Sequence, residues 1–178
     1  MPRLNVVKPE QAAGETRTLY EGIKGAIGAV PNIYQGIGNS PAALSAVLQA
    51  GAALDHGSLT AAEHEAIKLV VSEAYSCTYC LAAHTMLGKK AGLTEGQILS
   101  IRRAVPASSS VGALVKFVHG LYRPEARVHD DDLAKVRLAG YTDAQITEAL
   151  LVVSQTVFTN LFNRVNQTAL DFPAAPSL

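Results

Sequence analysis

Hydrophobic positions recur at helical spacing along most of the chain, and nowhere do they alternate over a run long enough for a strand. Leu19, Ile23 and Ile27, at i, i+4 and i+8, predict a helix over 15–27 that Gly28, Pro31 and Asn32 end. The run Gly-Ile-Gly-Asn-Ser-Pro at 36–41 reads as a turn, with Ser40 as N-cap and Pro41 opening a second helix over 41–54. Thr60 and Glu63 form a capping box for a third helix, whose inward stripe is Ile67, Val70, Val71 and Ala74. Tyr75-Ser76 reads as a break, with Ser76 as N-cap of a fourth helix that Gly92 closes. Thr94 caps a helix over 95–103, and 106–110 is a loop of small residues. Three more helices follow: an amphipathic one over 111–122 stopped by Pro124, a short one from Asp130-Asp131-Asp132 to about 140, and a long one over 142–170. Residues 171–178 read as a frayed tail. The expected fold is an all-α bundle of about eight helices, a single domain with N-terminal helices at 15–57.

Two segments of this bundle repeat each other. Leu59-Thr60-Ala61-Ala62 through Leu69-Val70-Val71-Ser72 aligns without gaps on Tyr141-Thr142-Asp143-Ala144 through Leu151-Val152-Val153-Ser154. Both copies carry a capping threonine and the run Leu-Val-Val-Ser at one offset, which divides the bundle into repeats at 58–105 and 106–170. When the alignment continues, Cys77 falls on Thr159, Cys80 on Phe162, His84 on Asn166 and Glu65 on Thr147. The scaffold recurs and these four residues do not, which favours chemistry over packing for them.

Composition narrows the function classes. Fifteen basic residues balance fifteen acidic ones, and the adjacent pairs Lys89-Lys90 and Arg102-Arg103 have no interleaved aromatics. Both pairs read as solvated helix ends, so no nucleic-acid groove is expected. No window is apolar enough for a membrane span, and the N-terminus lacks the apolar core of a signal peptide. The expectation is a cytoplasmic protein, in a compartment where a close cysteine pair is more often catalytic or metal-binding than a structural staple.

The chain has two cysteines, Cys77 and Cys80, three residues apart, with His84 four residues beyond the second. At about 100° per residue all three share one helical face. A cysteine in the first turn of a helix sees free N–H groups and the positive end of the dipole, which favours its thiolate. By that argument Cys77 is the more acidic thiol, while His84, one turn after Cys80, is placed to take a proton from it. A thiolate that attacks a peroxide becomes a sulfenic acid, and a neighbouring thiol condenses with it to a disulfide. Glu73, four residues before Cys77, and Glu65, twelve before it, both compete for a proton-relay role. Tyr79, between the cysteines, either lines a substrate pocket or packs. His56, His64, His119 and His129 have no local constellation and read as surface or capping residues.

Val30-Pro31-Asn32, the helix opened by Ser40-Pro41, and Glu65 followed by Cys77-x-x-Cys80-x-x-x-His84 together resemble the AhpD-like alkylhydroperoxidases. These form the peroxidase-related branch of the carboxymuconolactone decarboxylase superfamily, and the resemblance runs from about residue 19 to 101. It implies Glu65 as relay glutamate in preference to Glu73, Cys80 as the peroxide-reactive cysteine, Cys77 as the resolving one and His84 as relay histidine. It implies an all-helical fold that assembles into homo-trimers or hexamers. No cofactor is expected, since the chain has neither a phosphate loop, nor a dinucleotide fingerprint, nor a haem ligation pattern. The best-known members have histidine where this chain has Tyr79. The decarboxylase branch lacks the cysteine pair, so its activity is not carried over. The expected activity is an antioxidant thiol peroxidase that reduces hydroperoxides and is recycled by a dithiol or thiol-protein reductant. Two alternatives stay open: a disulfide reductase or redox relay using the same pair, and a metal-binding module of Cys77, Cys80, His84 and a glutamate.

Overall fold

The computed structural model describes residues 1–106, 109–122 and 128–178. Among these it has nine α-helices, a 3₁₀ turn at Pro9–Gln11 and no strand. The helices are α1 (Gly14–Ile27), α2 (Asn32–Ile37), α3 (Pro41–Leu54), α4 (Ala61–Ala74), α5 (Thr78–Lys90), α6 (Glu95–Arg102), α7 (Ser110–Gly120), α8 (Asp130–Leu138) and α9 (Asp143–Asn166). The all-α expectation therefore holds, with one helix more than predicted. Pro124 and positions 107–108 of the small-residue loop lie outside the described residues.

The extra element is α2, where the sequence suggested a turn. Its glycines serve close approach, not reversal. A Cβ on Gly36 would stand 2.8 Å from the Phe162 ring of α9, and one on Gly38 would collide with the Tyr20 phenol of α1. Glycine here lets a short helix wedge between two longer ones.

Helix α4 is the hub. It packs on α5, α6, α7 and α9, and α8 is laid against α7. Ile67, Leu69, Val70 and Val71 of α4 meet Ile98, Leu114, Val115, Val118, Val136 and Val152 in the larger apolar core. Each such side chain contributes about 1.5–3 kcal/mol of transfer free energy. A hub surrounded by neighbours has no single inner stripe, so His64 through Ile67 are all buried, whereas Ala74, at the last turn, is exposed.

A second, smaller core lies between α1, α2, α3 and the start of α5. It holds Tyr20, Ile23, Val30, Ile33, Ile37 and Leu44 around Cys77, Tyr79 and Cys80. The buried face of α1 is Thr16, Tyr20 and Ile23, one step round from the predicted stripe, leaving Leu19 half-buried and Ile27 exposed. Tyr20 sets that rotation. Its hydroxyl donates in the region of two carbonyls, Val7 O at 3.1 Å and Tyr34 O at 3.0 Å, which draws the ring inward.

The C-terminal segment also departs from expectation. Helix α9 stops at Asn166, and Gln167 follows in the left-handed region. Residues 168–178 then dock instead of fraying. Asp171 Oδ2 accepts from Asn32 N at 2.6 Å, Ala169 O from Asn32 Nδ2 at 3.1 Å, and Pro176 O from Arg102 at 2.6 Å. These partners lie 74 to 139 residues away, beyond the reach of any local pattern.

Candidate redox-active site

The site is built on a helix-to-helix junction. Helix α4 ends in a Schellman motif: Cys77 N donates to Ser72 O at 3.0 Å and Ser76 N to Glu73 O at 2.9 Å. The residue that such a motif holds in the left-handed region is usually glycine; here it is Ser76, with φ 51°. Cys77, the next residue, is itself the N-cap of α5, and its sulfur accepts from Cys80 N at 3.2 Å. The predicted N-cap at Ser76 is thus corrected by one residue. Ser76 lacks N-cap backbone geometry because it is spent on terminating α4.

Cys77 and Cys80 are joined by a disulfide, with Cα atoms 5.3 Å apart. Both cysteines are 2% exposed, sealed in the smaller core. Cys80 Sγ also receives a hydrogen bond across the fold, from Asn163 Nδ2 of α9 at 3.3 Å. Tyr79 lies in the same buried apolar cluster as the pair. Its hydroxyl accepts from Ile33 N at 3.3 Å and donates to Asp171, and its ring meets Phe172 edge to face at 5.5 Å. Burial first, and then the hydrogen bond to Asp171, push the Tyr79 phenol well above its ordinary range, so it stays protonated.

One turn past Cys80, His84 Nδ1 lies 2.9 Å from Glu65 Oε2. The other oxygen of Glu65 accepts from Lys68 Nζ at 2.9 Å. Burial alone would raise the Glu65 carboxyl. His84 and Lys68 outweigh it and bring the carboxyl down to about 2. An ionised Glu65 accepts the Nδ1 proton of His84 and so leaves Nε2 to take or give a proton. The structure therefore sets Cys77, Cys80, Tyr79 and His84 along the first two turns of α5 and its N-cap, and pairs His84 with Glu65 of the neighbouring α4.

Glu73 stands apart, in a 2.7 Å ion pair with Arg102. Arg102 corrects the reading of its pair as solvated. It is buried, because its guanidinium also holds the Pro176 carbonyl, while Arg103 is exposed. His64 is likewise a buried residue, its Nε2 without a partner, and burial lowers its pKa, assisted by Lys68. His56, His119 and His129 are exposed. Among the described residues no group of three or more His, Cys, Asp or Glu side chains converges as metal ligands would. His84 is turned toward Glu65, and the cysteines face the apolar core.

Sequence reasoning missed Asn163, Lys68 and the Asp171-Phe172 cover. A signal existed for the first: Asn160, Asn163 and Asn166 recur every third residue near the end of the long helix, and all three are buried.

The fold is shared with solved structures. Residues 40–117 match the model of the carboxymuconolactone decarboxylase family. No curated protein sequence matches the chain. Among solved structures it is similar to an alkylhydroperoxidase AhpD core protein, peroxidase-related, from Ralstonia eutropha JMP134. That pair has a TM-score of 0.84 and 19% identity over 96% of this chain and 92% of the other. A peroxidase-related protein from Silicibacter sp. TM1040 follows, at TM-score 0.77 and 21% identity over 95% and 94%. The debrominase Bmp8, as a cysteine-to-alanine variant in complex with 2,3,4-tribromopyrrole, shares the fold at TM-score 0.77 and 15% identity over 96% and 94%.

Proposed function

We propose that this protein is a thiol-dependent peroxidase that reduces hydroperoxides through a Cys77–Cys80 dithiol/disulfide cycle. The observation that carries the reading is the cysteine pair at the N-terminus of α5, with a Glu65-held His84 one turn beyond it. In the cycle, the Cys80 thiolate attacks the terminal peroxide oxygen. An S–O bond forms, the O–O bond breaks, and the departing alkoxide takes a proton from His84 Nε2 to leave as alcohol. The Cys77 thiolate then attacks the sulfur of the Cys80 sulfenic acid, expelling hydroxide that is protonated to water. Two thiols and one hydroperoxide give one disulfide, one alcohol and one water. A dithiol reductant returns two electrons and two protons by exchange.

Burial weighs between the peroxidase and the disulfide reductase. Thiol–disulfide exchange with a protein partner needs in-line access to sulfur, and both cysteines are 2% exposed within the apolar cluster that holds Tyr79 and against which Phe172 packs. A small hydroperoxide fits that setting better than a protein disulfide, and the reductant is expected to present a slender dithiol. Among the described residues no helix is long and apolar enough to cross a membrane, and we place the protein in the cytoplasm, where thiol reductants are available. Leu151, Phe158, Leu161 and Val165 form an exposed apolar row on α9, which supports a homo-oligomer, a trimer or hexamer as in the family.

The test counts free thiols before and after one equivalent of an organic hydroperoxide, beside alcohol formation, in wild type and Cys80→Ser. Loss of two thiols per chain with one alcohol formed, abolished in Cys80→Ser, is the expected result. Unchanged thiols in the reduced wild type, or full turnover by Cys80→Ser, would overturn it. With 2,3,4-tribromopyrrole as a parallel substrate, bromide release without peroxide turnover would instead assign the dithiol to reductive dehalogenation.

A further inference from the structure

The two sulfurs of the pair are served by different parts of the molecule. Cys77 Sγ has the N-terminus of α5 and the Cys80 amide. Cys80 is the third residue of that helix, in apolar surroundings that disfavour a charged sulfur. The hydrogen bond to its sulfur comes from α9, 83 residues away: the Asn163 carboxamide. Asn163 is 4% exposed, and its Oδ1 has no partner. The N–H it aims at Cys80 is thus the one hydrogen bond its side chain makes among those described. In the disulfide, where sulfur carries no hydrogen, the reverse orientation would set carbonyl lone pairs against sulfur lone pairs, so the donor faces Sγ.

Neighbouring contacts hold α9 in this register. Asn160, one turn earlier and fully buried, accepts from Ser72 Oγ at 3.3 Å through its Oδ1. Ser72 is the residue whose carbonyl binds the Cys77 N–H. One turn later, Asn166 takes Leu4 N at 3.0 Å and anchors the N-terminal segment. The row of amides therefore ties α9 to α4, to Cys80 and to the start of the chain. Asn160 and Asn163 each leave one end of the amide without a partner, Nδ2 in Asn160 and Oδ1 in Asn163, and Asn163 is the one whose N–H reaches sulfur.

We propose that Asn163 sets the reactivity of Cys80, its side-chain N–H holding the reduced sulfur as a thiolate in the apolar core. A charge-assisted N–H···S⁻ bond is stronger than the same contact to a neutral thiol or a disulfide, so the donor favours the ionised, nucleophilic form. This resolves a conflict left by the helix N-terminus, which favours Cys77 over Cys80. Each thiol has its own donor, and that of Cys80 comes from the second repeat. The role deepens the peroxidase reading and rests on it for its purpose, but it is measured without peroxide.

The experiment follows the ultraviolet absorbance of the thiolate against pH in a Cys77→Ser background, where Cys80 is the sole cysteine. Asn163→Leu, of similar size and without a donor, is expected to raise the midpoint by about one to two pH units. Asn163→Asp, which adds a like charge, is expected to raise it further, and Asn163→Ser, which keeps a donor, to raise it less than Leu does. A role in packing alone would not produce that order. Circular dichroism checks the fold of each variant, and the Ser and Asp variants decide the matter if Leu does not fold. In the dithiol protein, Asn163→Leu is expected to shift the redox equilibrium with glutathione at least about tenfold toward the disulfide. Equal midpoints across the four residues would overturn the proposal even if peroxide is consumed. Shifted midpoints in a protein inert to peroxide would keep it and sink the peroxidase.

Discussion

The two repeats begin alike and part company at one tripeptide. Residues 59–74 and 141–156 both open on a capping threonine whose box partner is three residues on, Glu63 in one and Gln145 in the other. In the first, Tyr75-Ser76-Cys77 stops α4 and starts α5. In the second, Val157-Phe158-Thr159 occupies the same places, and α9 runs through them unbroken for 24 residues. The break creates a fresh helix N-terminus, with free N–H groups, at the cysteines. The unbroken copy creates none. It offers a straight rail on which Asn160, Asn163 and Asn166 face inward at every third place. One repeat carries the reactive sulfurs, and the other holds a donor against one of them. A duplicated scaffold has thus been differentiated by changing where a helix ends.

The contrast can be broken most strongly at Glu65, which the second repeat replaces with the exposed Thr147. Glu65→Gln removes the charge that His84 and Lys68 share and is expected to cost about 3 kcal/mol of stability at neutral pH. Because the folded carboxyl is depressed from 4.5 to about 2, its contribution is complete above about pH 4.5 and disappears as pH falls toward 2. Urea denaturation of wild type and variant should therefore give curves that converge in acid. Thr147→Val should stay within about 0.5 kcal/mol of wild type at either pH.

Phe162, at the place of Cys80 in the second repeat, packs on α2 with no room for a Cβ on Gly36. Gly36→Ala is expected to lower stability by about 1–3 kcal/mol through overpacking, read as a lower denaturant midpoint at unchanged slope. The smallest effect is also the sharpest test, because its sign inverts between the repeats. Ser76→Gly relieves a left-handed residue and is expected to stabilise by up to about 1 kcal/mol. Phe158→Gly, the same substitution at the aligned position inside α9, is expected to destabilise by about 1 kcal/mol. Thermal melts of the two variants should move in opposite directions.

How far the sequence reached depended on the range of the interaction. Thr60, Thr94 and Thr142 announced their helices because a capping box closes within four residues. Gly92 announced an ending for the same reason. Ser76 did not, since a serine forced left-handed looks like the N-cap that serine usually makes. Gly36 read as a turn because the ring it makes room for lies 126 places away.

The helical class, the duplicated scaffold and the grouping of Cys77, Cys80 and His84 on one face were determined by residue type and short spacing alone, because helix periodicity and capping act within a turn or two. Residue spacing left Glu65 and Glu73 both open, and the tertiary structure pairs Glu65, the one the resemblance implied, with His84. The tertiary structure alone decided that Arg102 and His64 are buried, that the C-terminal segment packs on Tyr79, and that an amide of α9 reaches Cys80. Each of those contacts joins groups on different elements. Which faces of two helices meet is settled by the packing of the whole core, and no local pattern along the chain encodes it.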